Sequence, residues 1–325
     1  MVVFNIKNRT FMAKHTLKEW YLATRPWSFP ASAMPVASTI AYLFWASKTL
    51  PLAPQINILQ GLLALVGIVV FHAAGNVLSD YNDHRKGVDT PENAMMLPLV
   101  NGSFKGVEFK RYGLVLLFVG CLIGGVLLWL TESLQLLWVG VAGGLLTVLY
   151  SFLKYHSLGD VAIVLNYAVL PIMGTSLVTV GVIDWSAMVL VVPLALITDS
   201  ILHINNARDA VSDRAAGIRT FAMRIGPKAS VVLYKAELII PFVWVVVAVV
   251  MGWLPVFSIL VFAVGKVALG MAKTSSKLLS EGAAAVATLD QQSAALQAKF
   301  SLLMIISLVV SALVGWGPVG NIPLF

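Results

Sequence analysis

Nine stretches of this chain are nearly free of charge, and most are long enough to cross a bilayer. They lie at about 30–46, 58–78, 112–130, 134–153, 161–182, 186–204, 238–254, 255–272 and 300–317. A spanning helix needs about 20 mostly apolar residues. In hydrocarbon the backbone must satisfy its own hydrogen bonds, so only helices and closed barrels span. Barrel strands alternate apolar and polar residues over about ten positions, whereas these runs are continuous. Only 11% of the residues are charged and 59% are hydrophobic, against about 25% charged in a soluble domain. A soluble fold is excluded. The sequence predicts an all-α polytopic membrane protein, a bundle of about nine transmembrane helices forming one domain over 1–325. The stretch 238–272 is too long for one crossing, and Gly252-Trp253-Leu254-Pro255 supplies its break.

Charge then sets the orientation. Of the 22 Lys and Arg residues, 21 fall before the first span or in alternate connections on one side, and the opposite connections hold only Lys48. Basic loops stay inside, so an inner (cytoplasmic) membrane protein is expected, with its N-terminus cytoplasmic and its C-terminus extracytoplasmic. The 1–29 segment carries Lys7, Arg9, Lys14, Lys18 and Arg25 without the apolar core of a signal peptide. It reads as a cytoplasmic segment with an amphipathic helix at the interface. The single cysteine, Cys121, supports neither an internal disulfide nor a cysteine-based metal site. Gly124-Gly125 and the Gly140/Gly144 spacing predict close helix approach, and 274–299 reads as a linker or surface helix. No nucleic-acid partner is expected.

The polar residues concentrate in two segments, about 79–111 and 205–235, read as cytoplasmic loops. Entering the first, "FHAAGNVLSDYNDHRKGVDT" puts His72, Asn76, Asp80 and Asp83 at steps of four, four and three, one face of a helix. Asp89 follows a turn at Gly87. Entering the second, "DSILHINNARDAVSDRAAGIRTFAMRIG" puts Asn206, Asp209 and Asp213 on one face, with Asp199 and His203 deeper. Clustered carboxylates repel unless a positive charge lies between them. Oxygen ligands suit a hard cation, and Mg²⁺ is commonly held by one or two carboxylates plus substrate phosphates. Arg85, Lys86, Arg208, Arg214, Arg219 and Arg224 surround the acids, and Lys154 ends a span on the same side. Acids for metal among bases for phosphate point to a Mg²⁺–diphosphate site.

These motifs resemble the UbiA superfamily of intramembrane prenyltransferases, whose two Asp-rich motifs hold Mg²⁺ and an isoprenyl diphosphate within nine transmembrane helices. "NVLSDYNDHRKGVD" is similar to the first motif and "NNARDAVSDRAAGIRT" to the second. "RPWSFPASAMPV", beginning at Arg25, resembles the N-terminal signature of 1,4-dihydroxy-2-naphthoate polyprenyltransferases. "NGSFKG" and "YSFLKYHSLGD", which carries Tyr150 and Lys154, are similar to two further stretches of that branch. One departure stands out: aligned on "DYND", the position of the first-motif Asn is Ser79, while Asn76 stands four residues before Asp80. The resemblance implies Asp80, Asp83, Asp209 and Asp213 at the metal, with Asp89 beside them. It also implies Arg25, Asn76, Arg85, Lys86, Tyr150, Lys154, Asn206 and Arg208 at the substrates. The expected reaction moves a polyprenyl group from its diphosphate to 1,4-dihydroxy-2-naphthoate, giving demethylmenaquinone. Another aromatic acid such as 4-hydroxybenzoate is the alternative acceptor. An ion-coupled transporter is a remoter alternative, since carriers place charge near the membrane midplane and these acids sit at span ends.

Overall fold

The computed structural model describes residues 15–50, 53–87 and 98–317. The first helix, α1 (Leu17–Ala23), starts at a capping box. The Thr16 hydroxyl accepts from the Glu19 amide, and the Glu19 carboxylate accepts from the Thr16 amide. Trp20 meets Phe104 and Tyr112 edge-on, which seats α1 against the start of α4 (Gly106–Thr131). Leu17 and Tyr21 stay exposed, as expected of an interfacial helix.

The spans follow as α2 (Pro30–Thr49), α3 (Ile58–Lys86), α4, α5 (Leu134–Tyr155), α6 (Gly159–Val164) continuing into α7 (Leu170–Val180), and α8 (Val191–Arg208). After the short α9 (Ala210–Ala215) come α10 (Phe221–Val250), α11 (Gly265–Ser275), α12 (Lys277–Ser280) and α13 (Leu289–Leu313). Among the described residues eight helical segments are long and apolar enough to cross a membrane. α2, twenty residues long and carrying Ser32, Ser38 and Thr39, makes the ninth rod. Met251–Pro255 separates α10 from the next span, with Gly252 in a left-handed conformation, so the expected break is where the sequence put it.

Three sequence expectations change. Both ends of 79–111 and most of 205–235 are helix: α3 runs on to Lys86, α4 begins at Gly106, and α10 begins at Phe221. Hydropathy shortens these helices because their ends carry Lys, Arg and Asp. Nor is all of 274–299 linker or surface. From Leu289 it belongs to α13, with Asp290, Ser293, Leu296 and Gln297 buried. Finally, a Cβ on Gly124, Gly125, Gly140 or Gly144 would find no atom within 4 Å. These glycines do not bring helices together; three of them open a cavity described below.

The main core lies where α13 packs on α2 and α8, and α8 on α10, around Tyr42, Trp45, Ile197, Tyr234, Leu238 and Phe300. α4 and α5 present Leu114, Phe118, Trp129, Leu145 and Leu149 outward, an apolar face suited to lipid. Inside the α6–α7 span, Leu165–Val169 form a π-helical turn just before Pro171. Proline lacks the N–H and crowds the preceding turn. The widened turn carries Asn166 and Tyr167 to the cavity wall.

Candidate active site

A polar cavity of about 230 Å³ opens at the end where α3, α5 and α8 terminate. Arg25, Asn76, Asp83, Tyr150, Lys154, Arg208, Asp209 and Asp213 all line it. Residues more than 180 positions apart therefore meet around one space, as the two-motif reading requires.

α3 supplies Asp83, which is buried, accepts a hydrogen bond from the Tyr155 hydroxyl and lies 3.8 Å from Lys154 Nζ. Asp80, one turn earlier, is buried against Arg25 and paired with its guanidinium. Arg25 has φ of 55°, a left-handed conformation costing a non-glycine residue about 1–2 kcal/mol. The ion pair with Asp80 offsets that cost and turns Arg25 toward the cavity. Asn76 donates from Nδ2 to the Thr24 carbonyl (2.9 Å) and to Ser28 Oγ (3.0 Å), binding the same N-terminal segment to α3. Ser79, the rival for the first-motif amide position, lines the adjoining space.

The second motif spans a short interruption of the helix. α8 ends at Arg208, Asp209 caps it, and α9 starts afresh at Ala210. The lining residues Thr198, Ile201, Leu202, Asn205, Asp209 and Ser212 follow one another at helical spacing, and Asn206, one position off that face, is buried away from the cavity with no hydrogen-bond partner for its amide among the described residues. Asn205 lines the cavity in its place and accepts from Arg208 at 2.5 Å. The shared face therefore holds Asn205, Asp209 and Asp213, not Asn206. Arg208 also grips both Asp209 oxygens (2.8 and 2.9 Å) and reaches Asp290 at 2.9 Å.

Asp290, at the start of α13, is a cavity residue that sequence reasoning missed. Its only signal was a carboxylate in the first turn of an apolar run. His72 was left open between packing and participation. It lines the cavity between Ser28 and Ser32, with Ser32 Oγ 2.9 Å from Nδ1. His203 is buried against Asp160 at 2.8 Å and takes no part in the lining. Lys86 lies over the Tyr155 ring at 4.0 Å, while Arg85 is exposed and outside the cavity. Asp89 lies outside the described residues.

Toward the membrane interior the polar cavity leads into a second of about 170 Å³, which shares Arg25, His72, Asp83, Tyr150 and Lys154 with it. That one in turn shares Ile68, Phe71, Thr147 and Asn166 with an apolar cavity of about 140 Å³ behind α4 and α5. Gly124, Gly140 and Gly144 line the apolar end. The result is a charged mouth continuous with a hydrocarbon-like channel.

The comparisons with known proteins bear on this arrangement. A model of the UbiA prenyltransferase family matches residues 33–295. The chain belongs to that family. The UbiA prenyltransferase domain-containing protein 1 of Danio rerio is 37% identical over 232 residues, covering 69% of this chain and 66% of that protein. Its Mus musculus counterpart is 35% identical over 236 residues, covering 70% and 68%. The chain thus spans about two-thirds of the length of these relatives. The fold is similar to the apo structure of a UbiA homolog from Aeropyrum pernix K1, with TM-score 0.60 and 15% identity over 87% of this chain and 97% of that one. It is also similar to a UbiA homolog from Archaeoglobus fulgidus bound to GPP and Mg²⁺, with TM-score 0.55 and 13% identity over 88% and 99%. The chain is a multi-pass membrane protein of the UbiA prenyltransferase family.

In this UbiA chain, no three acidic or histidine side chains among the described residues come close enough to hold a metal by themselves. The donors nevertheless suit a hard cation shared with phosphate oxygens. Asp83, Asp209 and Asp213 present oxygen alone, and Arg25, Lys154 and Arg208 stand among them. Asp213 lies on α9, between spans. Burial raises its carboxyl to about 6, with Asp209 and Asp83 adding to the effect and Lys154 and Arg208 opposing it. Below that pH the group is protonated and a poor ligand. Mg²⁺ affinity, measured by titration calorimetry, is therefore expected to weaken as pH falls through about 6, and Asp213→Asn to lose that step. In metal-free protein the sign reverses. A raised carboxyl pKa favours the folded state at low pH, and that stability is lost as pH rises through about 6. Asp213→Asn should raise the melting temperature at pH 7 but not at pH 4, the gain in stability being no more than about 3 kcal/mol.

Proposed function

We propose that this chain transfers a polyprenyl group from a polyprenyl diphosphate to 1,4-dihydroxy-2-naphthoate, with release of diphosphate and CO₂, giving the hydroquinone form of demethylmenaquinone. The observation that carries the reading is the continuity of the charged mouth with the apolar channel. A substrate with a doubly phosphorylated head and a long hydrocarbon tail matches both ends of that path. Asp83, Asp209 and Asp213 are the proposed Mg²⁺ ligands, with Asp80 held in reserve by Arg25. Arg25, Lys154 and Arg208 are the proposed contacts to the diphosphate oxygens. The metal-bound A. fulgidus homolog of the same fold supports a divalent cation in this role.

In the reaction, the allylic C–O bond breaks with its electron pair leaving on the diphosphate. Mg²⁺, when bound, would supply Lewis-acid stabilisation of that departing charge. Lys154 and Arg208 add fixed positive charge at the same oxygens, and such preorganised charge acts most strongly where water is excluded. An electron-rich ring carbon then forms the new C–C bond, and the ring regains aromaticity as its carboxylate leaves as CO₂. Tyr150 and Tyr167 line the middle cavity, where a ring would sit against the allylic carbon. The apolar wall from Ile68 and Phe71 onward excludes water that would otherwise capture the cation.

The acceptor assignment rests on the branch signatures around Arg25 and Tyr150. Purified protein with Mg²⁺ and one polyprenyl diphosphate should prenylate 1,4-dihydroxy-2-naphthoate faster than 4-hydroxybenzoate. Equal or reversed rates would transfer the proposal to the second acceptor. Diphosphate release with neither acid would point to another aromatic acceptor. The 21-to-1 division of basic residues supports a mouth facing the cytoplasm. Protease accessibility of the 209–220 segment in sealed vesicles of known orientation reports it.

A further inference from the structure

Arg214, Arg219 and Arg224, which the sequence places among the acids, do not join them. None lines the charged mouth. With His156 and Ser157 they surround a separate open hollow of about 810 Å³ that contains no carboxylate. None of the three guanidinium groups has an ion pair among the described residues. Three cations converging on an acid-free hollow call for an anion.

The hollow has fixed walls. The Arg219 amide donates to the Tyr155 carbonyl (3.2 Å), and Ser157 Oγ donates to the Arg219 carbonyl (2.8 Å). These bonds tie the α5–α6 connection to the α9–α10 connection. Ser157, with φ of 64°, and Gly217, with φ of 75°, make the tight turns this requires. Its depth follows from α10, which is interrupted at Gly226 (φ 82°) just before Pro227. At 1.5 Å per residue the uninterrupted part from Pro227 to Val250 covers about 36 Å, enough for a hydrocarbon core of about 30 Å. The first turn bearing Arg224 and the link bearing His156 therefore lie at the level of lipid headgroups. Phe152, packed on the His156 ring, and Leu158, next in the chain to Ser157, are both exposed and offer acyl chains an apolar surface.

The geometry points to a binding site for the phosphate of an anionic phospholipid, held by Arg214, Arg219 and Arg224 beside the substrate mouth and separate from it. Guanidinium groups suit phosphate oxygens through paired donors, and the adjacent apolar side chains favour a lipid over a free phosphate. The site does not depend on the prenyl-transfer reading.

Native mass spectrometry of the full chain in detergent, titrated with phosphatidylglycerol or phosphatidylcholine, tests it. The unaltered chain should retain phosphatidylglycerol preferentially, and Arg214→Gln/Arg219→Gln/Arg224→Gln should lower that preference by on the order of a hundredfold, at roughly fivefold per charge. The single variants Arg219→Gln and Arg224→Gln carry the same test should the triple variant fold poorly. Lys110→Gln/Arg111→Gln, which removes exposed charge from the start of α4, should leave the preference unchanged. An unaltered preference in the arginine variants would overturn the site, as would an equal loss in the α4 variant. Arginine-dependent retention of inorganic diphosphate without retention of phosphatidylglycerol would also overturn it, by replacing the lipid with a soluble anion.

Discussion

Asp83→Asn and Asp209→Asn are each expected to lower turnover by about 10²–10³ while leaving insertion and folding intact. The substitution keeps size and hydrogen-bonding capacity but removes one charge and one good metal ligand. Electrostatic groups aimed at developing charge typically contribute this much. Neither change should unfold the protein. An amide oxygen at position 209 could still accept from Arg208, which retains its contact to Asp290 (2.9 Å). An amide oxygen at position 83 could likewise accept from the Tyr155 hydroxyl. Arg219→Gln, outside the mouth, should cost far less, because an exposed charge contributes little. Steady-state kinetics with saturating Mg²⁺, beside thermal melts of the same preparations, check both halves. Near-normal activity in either Asp variant would remove that carboxylate from the metal site.

Filling the apolar channel should give the second large effect, and it should depend on the donor. A Cβ at Gly140 or Gly144 meets nothing within 4 Å, so Gly144→Ala fits without strain. It should even stabilise α5 slightly, by about 0.5–1 kcal/mol. Gly144→Phe instead occupies space proposed for the tail. Each isoprene unit excluded forfeits the burial of five carbons, roughly 3–4 kcal/mol, or on the order of 10²–10³ in affinity. The expected result is a steep loss of kcat/KM with long-chain diphosphates and little change with a one- or two-unit donor. A uniform loss across donor lengths would mean that the tail runs elsewhere.

The sequence carried the membrane class, the rods and much of the site, because those depend on properties that local patterns report. Apolar run length fixes a span, and a carboxylate at the polar end of a span has little choice but to face a polar space. Asp83, Asp209, Asp213, Tyr150, Lys154 and Arg25 meet for that reason. What failed depended on placements that local patterns leave open. Asn206 was placed by helical periodicity from Asp209 and Asp213, and that period does not decide between neighbouring Asn205 and Asn206; the structure centres the face on Asn205. Arg214, Arg219 and Arg224 were grouped with the acids by proximity in the chain, although α9 and the turn after it carry them to another side. The glycines of α4 and α5 were read as contacts because small residues usually are. Only the positions of neighbouring helices reveal that they leave room.

The rim of the mouth is closed from both ends of the chain. Arg25, ahead of the first span, is held by Asp80, and Asp290, at the start of the last span, holds Arg208. During synthesis the first of these residues waits for α3 to be threaded into the bilayer, and Arg208 waits for α13. The mouth is therefore assembled last, after every wall of the apolar channel is in place. A nascent chain arrested before its final helix would possess the channel and both acidic motifs, yet its Arg208 would still lack one of its two carboxylate partners.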